Sequence, residues 1–144
     1  MYKPALTTGA LLAALAVILG AFGAHSLKNH LEHSGIELAD IQRTLQTFDT
    51  GVRYQFYHCF ALLAVGLIYA SYPSKSLRWA TAMFTIGIVL FSGSLYAITL
   101  LKLQGGAGLG PIGILTPIGG LFFIAGWIGL FLGISRSKSS ASIR

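Results

Sequence analysis

Five residues of chemically useful type stand within six positions: Arg53, Tyr54, Gln55, Tyr57 and His58. They open the stretch Gly51 to Tyr72, GVRYQFYHCFALLAVGLIYASY, which is otherwise long and apolar enough to cross a bilayer. Polar side chains at membrane depth are expensive and need partners or a task. On a helix, Tyr54 and His58 are four apart and Gln55 and His58 three apart, so they share a face. Phe56 and Phe60 can then face lipid, and Arg53 can snorkel to the interface.

Three chemistries fit this pattern. His58 suits a proton-sensitive switch in a transport path, because histidine alone titrates near neutral pH without perturbation. His25 and His58 suit a metal or haem site, since imidazole is a common ligand. The plainer reading is that each histidine donates and accepts interhelical hydrogen bonds. No Cys or carboxylate stands at a matching depth to complete a zinc set, so no metal site is expected. His30 and His33 lie near His25 at loop spacing close to water, where solvated histidines are usual. Ser92, Ser94 and Thr116 are expected to bond to neighbouring helices or to their own backbone, rather than to line a path. Tyr54, Tyr57, Tyr96 and the tryptophans read mostly as interface-belt aromatics. A quinone or haem pocket among them has no motif behind it, and no cofactor is implied.

The elements that position these residues follow from composition. The chain has 144 residues, 54% hydrophobic and 10% charged, with mean hydropathy +0.72. A soluble domain carries about 25% charged residues. The net charge is +6, but the basic residues are scattered among helix ends and tails, which argues against nucleic-acid binding. The lone Cys59 lies inside an apolar run and reads as a small filler.

The sequence therefore predicts an all-α fold, a polytopic membrane four-helix bundle in one domain over residues 1–134. Span one covers about 5–27. Its uncharged core, Leu6 to Ala24, gives roughly 28 Å at 1.5 Å per residue. A cleaved signal peptide is weighed because Lys3 precedes an apolar core and Ala21-Phe22-Gly23-Ala24 offers small residues. The run is longer than a usual signal core and the remaining chain is itself a set of spans, so a retained span is expected. Lys28 to Thr50 holds all four acidic residues. Within it, Ser34 and Glu37 fit a capping box, and a short amphipathic helix is expected at about 35–48, stopped by Gly51. Span two covers about 52–72, span three 79–101 and span four 112–134. Pro117 is expected to kink span four. Residues 135–144 read as a disordered basic tail.

Small residues recur at three- and four-residue steps on spans one and four. Gly20, Ala24, Gly119, Gly126, Gly129 and Gly133 are the expected helix-packing positions. The run Gly105-Gly106-Ala107-Gly108-Leu109-Gly110 superficially matches a phosphate loop, but it joins two spans and lacks the flanking strand. Four spans place both termini on one side, with Lys3, Lys75, Arg78, Arg136, Lys138 and Arg144. The other side receives Lys28, Arg43, Arg53 and Lys102. The excess of basic residues favours cytoplasmic termini. In that topology His25, Tyr54, Gln55, His58, Ser92, Ser94, Tyr96 and Thr116 form one polar cluster in the outer half of the bundle.

With these residues placed, the chain resembles a known membrane family. The stretches GAFGAHSLK (20–28), TGVRYQFYH (50–58), ALLAVGL (61–67), LFSGSLY (90–96) and TPIGGLFFIAGW (116–127) carry the likeness, from about Gly9 to Gly133. It is similar to uncharacterised protein family 0382, also called domain of unknown function 423, which has the eukaryotic transmembrane protein 256 as a relative. The glycine-rich turn before Pro111 and the Ser/Lys tail look less typical of it. The resemblance implies a small four-span inner-membrane protein and no particular reaction.

The leading functional expectation is an accessory, assembly or interaction subunit with a membrane-protein partner or a second copy of itself. The alternative is a small transporter or channel using the polar cluster around His58. An enzyme ranks third, because no nucleophile–base pair, metal set or carboxylate pair stands at usable spacing.

Overall fold

The computed structural model describes residues 1–104 and 110–136. The expected tail at 135–144 falls almost wholly outside the described residues, as does most of the glycine-rich turn. Four long helices form the bundle, and no strand occurs among the described residues. Helix α1 spans Lys3–Glu32 and includes a π-helical turn at Gly23–Leu27. Helix α2 spans Leu38–Ile68. Helix α3 spans Lys75–Leu103, with a second π turn at Ile88–Ser92. A 3₁₀ turn, Pro111–Ile114, leads into α4, Leu115–Ser135.

The expected amphipathic helix is not a separate element. It is the first half of α2, which runs unbroken through Gly51. A Cβ at Gly51 would lie 2.9 Å from Tyr96 Cε1 and 3.3 Å from Leu95 Cβ. Glycine is there to let α3 approach, and helix packing offsets the roughly 1 kcal/mol it costs inside a helix. The capping box is not formed either. The Ser34 hydroxyl donates to Leu31 O at 2.7 Å and closes the end of α1. Gly35, at φ +72°, turns the chain, and α2 begins after Glu37 without a side-chain cap. Ser74 does cap α3, accepting from Leu77 N at 3.3 Å. Pro117 lies in the first turn of α4, just after the 3₁₀ turn, so the expected kink is a change of helix type at the helix start.

Three helices are long and apolar enough to cross a membrane: α1, α3 and the segment Ile112–Ser135. Helix α2 is diluted by its charged first half and by the cluster from Arg53 to His58. It packs antiparallel along the whole of α1. Gly66 faces Leu6, Gly9 faces Cys59 and Leu62, Gly20 faces Val52, and Gly23 faces Phe48. Helices α3 and α4 form a second antiparallel pair. Leu77 meets Gly133, Trp79 meets Gly129, Phe84 meets Gly126, and Phe123 meets Gly87. Glycine opposite a large ring lets helices approach closely, which in lipid is the main source of packing energy.

The interior divides into two clusters. The larger holds Ala5, Cys59, Leu62, Val65, Leu77 and Phe84 among its buried residues. The smaller, Leu27, Leu31, Ile41 and Phe48, joins the last turns of α1 to the first turns of α2. The amphipathic segment is therefore anchored by burying its apolar stripe against α1.

Candidate functional site

Three hydrogen-bonded groups tie the helices together, and each grows from one local feature. The first centres on Gln55, which is 2% exposed. Its Nε2 donates to Leu12 O on α1 at 2.8 Å, and its Oε1 accepts from the Tyr96 hydroxyl on α3 at 2.9 Å. One side chain thus joins three helices. The geometry depends on Gly51, one turn earlier, which admits the Tyr96 ring.

The second centres on His58, 5% exposed. Its Nδ1 lies 2.7 Å from Tyr54 O on its own helix, and Trp127 Nε1 donates to its Nε2 at 3.3 Å. An Nδ1–H donating to the carbonyl, with Nε2 accepting from the indole, makes both nitrogens of the neutral ring partnered. The imidazole also stacks on Phe123, with centroids 3.4 Å apart and planes 4° apart. Phe84 closes the other side at 5.7 Å. This imidazole offers no free lone pair to a ligand in this arrangement.

The third joins α3 to α4. The Ser94 and Thr116 hydroxyls lie 2.7 Å apart, and Ser94 Oγ donates to Phe91 O at 2.8 Å. The neighbouring Ser92, fully buried in the π turn, has no partner for its Oγ.

The polar cluster is thus three small groups; the Ser92 hydroxyl bonds into none of them, Tyr54 contributes only its main-chain carbonyl, and His25 lies apart from all three. His25 is exposed and lines a surface groove with Lys28, Asn29 and Glu32. Gly23 lies against Phe48, and His58 is almost three turns further along α2, roughly 15 Å. His25 and His58 do not share a site. His58 faces the central turns of α4, at Phe123 and Trp127. No group of three His, Cys, Asp or Glu with metal-holding geometry occurs among the described residues.

Trp127 is the residue that sequence reasoning misplaced. It sits in mid-helix and bonds His58, whereas Trp79 lies near the start of α3 as an interface aromatic does. The available signal was Phe123 and Trp127 standing four apart on a glycine-rich helix, a pair able to flank a facing ring. Of the packing positions, Gly119, Gly126, Gly129 and Gly133 are buried against α3. Gly20 meets only Val52, at 3.4 Å, and Ala24 is exposed at the rim of a groove. Gly23 follows buried Gly9 and Ala16 at seven-residue steps, so it rather than Ala24 meets α2.

An all-helical bundle with polar groups bonded between its helices, and apolar side chains over its outside, defines an integral membrane protein. Residues 19–120 match the model of the family described as "Protein of unknown function (DUF423)", and the chain belongs to that family. It is 41% identical to a UPF0382 membrane protein of Haemophilus influenzae, covering 93% of this chain and 95% of the relative. It is 40% identical to one of Staphylococcus saprophyticus, covering 87% and 91%. It is 36% identical to the UPF0382 inner membrane protein YgdD of Escherichia coli K12, covering 85% and 82%. No solved structure matches the chain.

Proposed function

We propose that the protein is an accessory or assembly subunit of a membrane complex, held in the inner membrane with both termini cytoplasmic. One observation carries this reading. Inside the bundle Gln55, His58, Ser94 and Thr116 serve helix–helix bonds: Gln55 to Leu12 and Tyr96, His58 to Trp127, and Ser94 to Thr116. Chemistry or transport needs polar groups kept open for a substrate, and here they are spent on fastening. The outer faces remain apolar, with Leu11 at 72% and Ile18 at 65% exposed on α1, and Leu121 at 65% and Phe131 at 66% on α4.

The closed imidazole of His58 also weighs against the transport reading, which needs it as the switching group. The topology rests on the basic residues, six on the terminal side against four on the other. Native mass spectrometry of the protein, extracted with its lipids at natural expression, tests the role. A stoichiometric second polypeptide is expected. A lone chain carrying a metal or haem mass would refute the reading.

A further inference from the structure

The two ends of the bundle differ in charge. All four acidic side chains lie between residues 32 and 49, around the last turn of α1 and the first half of α2. The ion pairs among the described residues, Lys28–Glu32, Arg43–Asp40 and Arg53–Asp49, are all there. At the opposite end Lys3, Lys75, Arg78 and Arg136 are exposed, and the chain has no acidic side chain to set against them.

Two of these cations line one pocket. It measures about 440 Å³ and is walled by Tyr2, Lys75, Arg78 and Trp79. The helices fix its level in the membrane. Lys3 and Lys75 are the first residues of two membrane-length helices and Ser135 is the last of the third, so the pocket lies where the spans leave the hydrocarbon. Its aromatic walls are held from behind. Tyr2 N donates to Gly66 O, the Tyr2 ring lies 5.0 Å from that of Tyr69, and Trp79 rests on Gly129. Ala82, Ile86 and Val89 follow Trp79 at three- and four-residue steps and are all exposed. They form one apolar stripe that runs from the pocket into the span.

We infer that this pocket holds the headgroup of an anionic phospholipid. The Arg78 fork and the Lys75 ammonium take the phosphate oxygens, with no protein carboxylate competing for them. Tyr2 and Trp79 stand at the boundary between headgroups and hydrocarbon, where amphipathic rings belong. An acyl chain then lies along Ala82, Ile86 and Val89. Charge selects the lipid class, because the same two cations repel the ammonium end of a zwitterionic headgroup and no carboxylate is present to hold it. A soluble phosphate makes no use of the apolar stripe, and a second copy of the chain sets cations against cations. The inference goes beyond the accessory-subunit reading and does not depend on it.

The test is native mass spectrometry of the full chain in detergent, stripped of lipid and titrated with phosphatidylglycerol or phosphatidylcholine of matched acyl chains. The first phosphatidylglycerol is expected to bind about tenfold more tightly than the first phosphatidylcholine. Lys75→Gln combined with Arg78→Gln is expected to bring the two lipids within about twofold of each other. Both side chains are exposed, so the substitutions leave the packing intact. Lys3→Gln combined with Arg136→Gln removes the same charge from the same end but outside the pocket, and is expected to keep the preference. Equal affinities in the parent overturn the proposal. So does an equal loss in both double variants, which makes the preference a diffuse field rather than a site. Displacement of bound phosphatidylglycerol by millimolar glycerol phosphate overturns it in favour of a soluble anion. Carbodiimide coupling of Lys75 to a second polypeptide in native membranes, lost in Lys75→Gln, overturns it too, because an acidic protein then covers the pocket.

Discussion

The α1–α2 and α3–α4 hairpins are both antiparallel, but they are fastened differently. The α3–α4 pair depends mainly on shape. Three glycines of α4 and one of α3 receive large side chains from the opposite helix, and a fourth glycine of α4, Gly119, lets it come within van der Waals reach of the Phe91 backbone. Its polar links are Ser94 with Thr116 along the shared face. The α1–α2 pair has fewer such sockets and adds other devices. Gln55 reaches a main-chain carbonyl of α1, Tyr2 N donates to Gly66 O at 2.9 Å, and a second apolar cluster extends the contact past Leu27. Shape does most of the fastening where both helices are long and apolar enough to cross a membrane. The hairpin that carries the charged segment supplements it with hydrogen bonds and with burial of apolar surface.

This difference can be broken deliberately. The largest effect is expected from Gly119→Leu, because backbone cannot move aside as a flexible side chain can. Overpacking costs about 1–3 kcal/mol, and backbone contact places this case at about 3 kcal/mol or above. Denaturation in mixed detergent micelles measures it, and a loss below about 1 kcal/mol would mean that the α3–α4 contact tolerates separation.

Gln55→Leu comes next. It removes both bonds and strands the Tyr96 hydroxyl, for an expected loss of about 1–2 kcal/mol. A double-mutant cycle with Tyr96→Phe should return a coupling near 0.6 kcal/mol. Zero coupling would show that the two side chains do not act as a unit. The smallest effect belongs to Ser92→Ala. Its hydroxyl is buried without a partner, so removal is expected to lie within about 0.5 kcal/mol of neutral, or to stabilise. A clear loss in the same denaturation assay would mean that Ser92 has a partner after all.

The spans were legible because hydrocarbon thickness sets a length that composition reveals directly. The continuity of α2 was not. Gly51 reads locally as a helix stop, and its reason lies on α3, at Tyr96. The misplacement of His25 has a similar origin. Being near the same end of the bundle is a matter of topology, but sharing a site needs the register between helices and the phase of each. The π turns alter that phase and leave no mark in hydropathy. Gly23, not Ala24, continues the seven-residue step of Gly9 and Ala16 into the α1–α2 contact. Gln55 and His58 were recognisable as residues needing partners, because polar groups are rare at that depth. Which partners they found depended on aromatic residues that looked like plain hydrophobes or interface anchors.

The unbroken course of α2 makes it a strut. From Leu38 to Gln55 is about 26 Å, and from Gln55 to Ile68 about 20 Å. Gln55 ties its middle to α1 and α3. Phe48 holds it against Gly23 before that point, and beyond it Gly66 O accepts from Tyr2 N. One continuous element thus sets the distance between the charged segment and the start of the chain.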